Sequence, residues 1–185
     1  MTEPVHTRSI RVSATRVGQH ELEVTGHLVD ERPEAAGRWF GIVHGRTIHD
    51  MTLTLRVRHP DLVVTHVEAR MATHPYTVCP DALPPLQQLV GLSVTRGFTR
   101  AVNARFGRQK GCSHLTALLH AIAPVVRQGS GAAFRDEQAP PSAERDLWFI
   151  DTCQAWRGDG PLAGHLRAGD VSGVRAMSAY QRPGA

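Results

Sequence analysis

The chain has 185 residues, 41% of them hydrophobic and 21% charged. That is ordinary globular usage: it excludes wholesale disorder, and the length suits one domain with appendages rather than two full domains. No apolar run approaches the ~20 residues that span a bilayer, and the opening MTEPVHTRSIRV lacks an apolar signal core, so a cytoplasmic bacterial protein is expected.

The net charge of +4 comes from 21 Lys+Arg, of which Lys110 is the only lysine. The arginines are scattered and 5% of residues are aromatic, which argues against a stacking platform for nucleic acid. The partner expected instead is a small, anionic molecule, with no nucleic acid and no membrane; homo-oligomerisation stays open. Cys79, Cys112 and Cys153 are an odd number with no paired framework. In a cytosolic chain such thiols are more often buried, metal-bound or catalytic than disulfide-linked.

The first half reads as strands. Ile10, Val12 and Ala14 alternate with polar residues, and so do Leu22, Val24, Gly26 and Leu28, then Met51, Leu53, Leu55 and Val57, then Val63, Thr65, Val67, Ala69 and Met71. Period two over such lengths predicts half-buried strands. His59-Pro60-Asp61 predicts a turn joining the last two in a hairpin. Residues 31–47, with Pro33, Gly37, Gly41 and Gly45, read as a loop.

The second half changes period. Leu83, Leu86, Leu89 and Val90 follow Asp81, a suitable helix cap. Phe98, Val102 and Phe106 recur at helical spacing before Gly107, and Leu115, Leu118, Leu119, Ile122 and Val126 form an amphipathic stripe. The composition of 128–146 is that of a linker, and 147–185 reads as a strap built on Trp148, Phe149 and Trp156, followed beyond Gly158 by a Gly-rich tail that is loose at its end. The expected fold is α+β: an antiparallel sheet of N-terminal strands covered by helices over 1–127, then linker and strap.

Four motifs carry chemistry: His49-Asp50 at a strand start, Cys79-Pro80-Asp81 at a helix entry, Lys110-Gly111-Cys112-Ser113-His114 at another, and Cys153 in the late apolar stretch. A helix N-terminus favours a thiolate, which suits a metal or an electrophile. An imidazole, a carboxylate and two thiolates satisfy zinc or iron. Alternation sends His49 and Asp50 to opposite faces of a regular strand, so both serve one ion only at a strand start or a bulge. Glu68 and His66 share a strand face, where either suits a base, and His6 and Arg8 suit an anion.

The order of these motifs resembles the IscU/NifU-type iron–sulfur scaffold fold over roughly residues 46–127. Asp50, Cys79, and Lys110 with Cys112, Ser113 and Leu115 match that family's motifs, with His49 in place of a cysteine and Gly111 in place of a histidine. The resemblance implies Asp50, Cys79 and Cys112 as ligands. The chain also resembles an uncharacterised bacterial family, domain of unknown function 2889, through His6 and Arg8, the His49-Asp50 pair, Cys79-Pro80 and the Gly-Cys-Ser-His-Leu run at 111–115.

Two readings follow. The first is a metal-dependent lyase or hydrolase acting on a small organic substrate. There His49, Asp50, Cys79 and Cys112 hold Zn²⁺ or iron, His114 and Glu68 are acid/base candidates, and His6, Arg8 and Lys110 receive the substrate. His49 and His114 compete for the fourth ligand position. The alternative is an iron–sulfur scaffold or a sulfur or metal carrier.

Overall fold

The computed structural model describes residues 4–32, 45–95, 97–134 and 149–180. The alternating segments form one four-stranded antiparallel sheet, in the order β1 (Thr7–Arg16), β2 (Glu21–Glu31), β3 (Thr47–Arg58), β4 (Val63–Thr73). Each strand pairs with the next in sequence, so this part of the fold needs only short-range connections. The apolar phase selects the inner face: Leu22, Val24 and Leu28 of β2 and Met51, Leu53, Leu55 and Val57 of β3 are buried. The β3–β4 hairpin turns through His59–Leu62 as expected.

Two helices follow, α1 (Phe98–Phe106) and α2 (Ser113–Ala133). The stripe Leu115, Leu118, Leu119, Ile122 and Val126 is fully buried, and α2 packs on β1, β2 and β3. Burial of each such side chain contributes about 1.5–3 kcal/mol. Two glycines let helix and sheet approach closely. A Cβ on Gly26 would lie 2.8 Å from Leu118 Cδ1 and 3.0 Å from Ile122 Cδ1, and one on Gly129 would lie 2.7 Å from the Ala14 Cβ. The architecture is therefore a mixed α+β layer, as the periodicity implies.

Several details depart from the sequence reading. The segment after Asp81 is not an α-helix but two short 3-10 helices, Cys79–Ala82 and Pro84–Leu89, and Asp81 lies inside the first rather than capping it. Pro84 and Pro85 have no N–H to extend a regular ladder. In β4 the bulge opposite Arg56/Val57 resets the alternation, so Val64 rather than Val63 is buried beside Val67. Helix α2 continues to Ala133, through Gln128–Ala133 that composition assigns to a linker; Ser130 and Phe134 are buried there. Of the expected 31–47 loop, Glu31 belongs to β2 and Thr47 to β3, and 33–44 lies outside the described residues.

The chain divides into two compact units, Met1–Arg135 and Asp136–Ala185. In the second, the Phe149 and Trp156 rings meet edge to face with centroids 4.7 Å apart. Asp151 accepts a hydrogen bond from the Gly158 N–H at 2.7 Å. Beyond Gly158 the tail forms α3 (Pro161–Arg167) and α4 (Val171–Ala176), the latter capped by Asp170, and the end expected to be loose, 181–185, lies outside the described residues. Trp148 lies outside the described residues, and Cys153 is exposed.

Candidate active site

The inward phase of β2 runs Leu22, Val24, Gly26, Leu28 and then Asp30, a carboxylate with no exposed surface. A buried carboxylate is costly unless paired and hydrogen-bonded. Arg8, its cross-strand partner on β1, supplies both: Nε donates to Oδ1 at 2.7 Å and Nη2 to Oδ2 at 2.8 Å, a bidentate clamp. Three imidazoles complete the shell. His49 of β3, paired with Asp30, places Nδ1 3.0 Å from Oδ2; His114, in the first turn of α2, places Nε2 3.3 Å from the same oxygen; His6, just before β1, places Nε2 3.5 Å from Oδ1.

Burial alone would raise the Asp30 pKa, but the Arg8 hydrogen bonds and charge, with smaller help from His49 and His114, outweigh it and bring the carboxyl to about 2. Burial lowers His49, against the pull of Asp30, and the Arg8 and Arg32 charges lower it further. Burial also lowers His114, with help from the charges of His49 and Arg8. The resting site is thus an ionised Asp30 carboxylate beside the neutral imidazoles of His49 and His114. The rings of His49 and His114 lie 3.7 Å apart between centroids.

A neutral His114 that donates from Nε2 to Asp30 has Nδ1 as an acceptor. The group facing it is the Cys112 Sγ, at 3.5 Å. Cys112 is the N-cap residue of α2, where no side chain caps the backbone N–H groups. A thiol, an imidazole and a buried carboxylate therefore stand in series at the positive end of a 21-residue helix.

Asp30, His49 and His114 are also the described group whose side chains could hold a cation: their ligand atoms lie within 4.8 Å of one another. An ionised carboxylate and two neutral imidazoles are in the protonation state that a divalent ion requires. The donor set is compatible with a divalent cation on this ground.

The sequence-derived residues distribute unevenly around this centre. His49, His114, His6 and Arg8 converge on Asp30, and Cys112 adjoins His114. Asp50 does not join His49: it lies on the opposite sheet face, 2.8 Å from the His27 Nε2, and the carboxylate beside His49 is that of Asp30. The irregularity between Asp50 and Met51 does not bring the two side chains together. Glu68 pairs with Thr54 on that same far face, away from the imidazoles. Cys79 begins a 3-10 helix and packs half-buried against the core, outside the three-residue group. Lys110 turns its Nζ to the Ala104 carbonyl at 2.9 Å.

A family model described as protein of unknown function (DUF2889) matches residues 6–128. That span holds His6, Arg8, Asp30, His49, Cys112 and His114 and ends before the second unit. No curated protein and no solved structure matches the chain. Among the described residues, no helix is long and apolar enough to cross a membrane.

Proposed function

The chain belongs to the DUF2889 family, and we propose that within it this protein is a metal-dependent enzyme, of lyase or hydrolase type, acting on a small organic substrate. The observation that carries the reading is the convergence of Asp30, His49 and His114 on one point at the sheet end, with ligand atoms within 4.8 Å. Zn²⁺ or iron held there would polarise a carbonyl or activate water. This replaces the Asp50, Cys79 and Cys112 ligand set with residues that meet in space. His6, at the rim 3.5 Å from Asp30, is the imidazole left for proton transfer. The decisive experiment is elemental analysis of protein purified without a metal-affinity column. About one equivalent of zinc or iron, lost in both His49→Ala and His114→Ala, supports the reading; its absence from wild-type protein refilled with either metal sinks it.

The Cys112–His114–Asp30 series favours a second reading, nucleophilic catalysis by a thiol. His114 would take the Cys112 proton at Nδ1 while Asp30 holds the opposite nitrogen. Here turnover is independent of metal and is abolished by Cys112→Ser, whereas the metal reading tolerates that change. The iron–sulfur scaffold draws on the sequence order of Asp50, Cys79 and Cys112, and the placement of Asp50 on the far sheet face weighs against it. Reconstitution with iron and sulfide to a brown, transferable cluster would restore it.

A further inference from the structure

The charges around Asp30 are layered from inside outward. Asp30 itself has no exposure, His49 is 13% and His114 21% exposed, and His6 and Arg8 reach 37% and 38%. The single carboxylate is at the bottom and both its oxygens are already engaged by Arg8. A second arginine stands at the rim. Arg32, just after β2, donates from Nε to the His6 Nδ1 at 3.3 Å. Among the described residues its side chain forms no ion pair with a carboxylate.

Three arginines in or beside the sheet do pair. Arg56 meets Glu23 at 3.2 Å, Arg58 is fixed on Asp61, and Arg46 reaches Glu31 at 3.5 Å. Arg32 instead faces an imidazole, a poor partner for a guanidinium whose planar fork matches an oxyanion. Among the described residues, two guanidinium groups stand against one carboxylate here, which leaves the mouth positive before any cation is added.

We infer that the mouth receives an oxyanion of the substrate, a carboxylate or a phosphate, through Arg32, His6 and the solvent-facing side of Arg8. This rests on the reading of the centre as an enzyme site and specifies its substrate class. The oxyanion stays at the rim because the interior is filled by Asp30, and the adjoining part of the substrate then faces His49 and His114. Lys110, an anion-binding candidate on sequence grounds, takes no part because it is held on the Ala104 carbonyl.

The test is calorimetric titration of the full-length protein with inorganic phosphate and, separately, with succinate, on preparations whose metal content is measured in parallel. Wild-type protein should bind at least one of the two at millimolar concentration. Arg32→Ala should weaken that binding about tenfold or more, the loss of one charge-assisted hydrogen bond. His6→Gln should weaken it less, and Arg70→Ala, exposed on the far sheet face, should leave it unchanged. Phosphate alone binding points to a phosphate ester, succinate alone to a carboxylic acid, and both to the shared oxyanion. Binding of neither anion to wild-type protein overturns the inference, as does equal binding by Arg32→Ala and wild type. A metal-free protein that binds anions through Arg32 sinks the metal reading and leaves this one standing; a metal-loaded protein that binds neither does the reverse.

Discussion

Asp30→Asn preserves shape and removes the charge that organises the site. The carboxyl is held at about 2 against an ordinary 3.8, and at ~1.36 kcal/mol per unit this corresponds to at most about 2.4 kcal/mol favouring the ionised form. Arg8, the main partner, is 38% exposed, so solvent screening reduces the figure, and about 1–2 kcal/mol is expected at pH 7. The sign follows from linkage. The folded pKa is depressed, so the contribution is full above the unfolded value and is lost as pH falls from about 4 toward 2. Thermal or urea unfolding of both proteins from pH 7 to pH 3 should show Asp30→Asn less stable at pH 7, with about half of the gap gone at pH 3. A gap that does not change with pH, or no gap at pH 7, would refute the assignment of Asp30 as a buried, ionised, Arg8-clamped group.

Asp50→Ala and Cys79→Ser should keep whatever metal the wild-type protein binds, as elemental analysis will show, because neither joins the Asp30 group. Gly26→Ala should lower the melting temperature by the equivalent of about 1–3 kcal/mol, since the added methyl meets Leu118 and Ile122 inside a filled core. Phe134→Ala should cost about 3–5 kcal/mol by chemical denaturation; the ring is 1% exposed, stacked on His59 at 4.4 Å and overlain by the Arg16 guanidinium at 4.5 Å. A small effect would mean that the last turn of α2 does not belong to the core.

The sheet, the hairpin and α2 were legible because each is dictated by a hydrophobic period long enough to stand on its own. The site was legible in part. His49, His114, His6 and Arg8 stand out as titratable residues in short motifs, yet their common partner does not, because Asp30 sits in VDERP, where an acid looks like the start of a loop. The signal was present: extending Leu22, Val24, Gly26 and Leu28 by one more step of two points Asp30 inward. Asp50 was misleading for the converse reason. It is adjacent to His49 in sequence, but a strand separates neighbours onto opposite faces while bringing together residues 19 and 22 positions apart, as Asp30 with His49 and with Arg8. The extension of α2 to Ala133 was hidden by Gly129 and Gly131, which composition reads as linker; at Gly129 the missing side chain admits Ala14.

The clamp on Asp30 is carried by β1, one of the two outer strands of the sheet. β1 hydrogen-bonds to β2 on one side and, among the described residues, has no strand on the other, and Arg8 is its second residue. Outer strands open more readily than inner ones. Each fraying event at the β1 start withdraws the guanidinium and admits water to a carboxylate otherwise sealed from it. The field at His49 and His114 therefore depends on the pairing of the first residues of β1, and a substitution that loosens that start changes it without touching either imidazole.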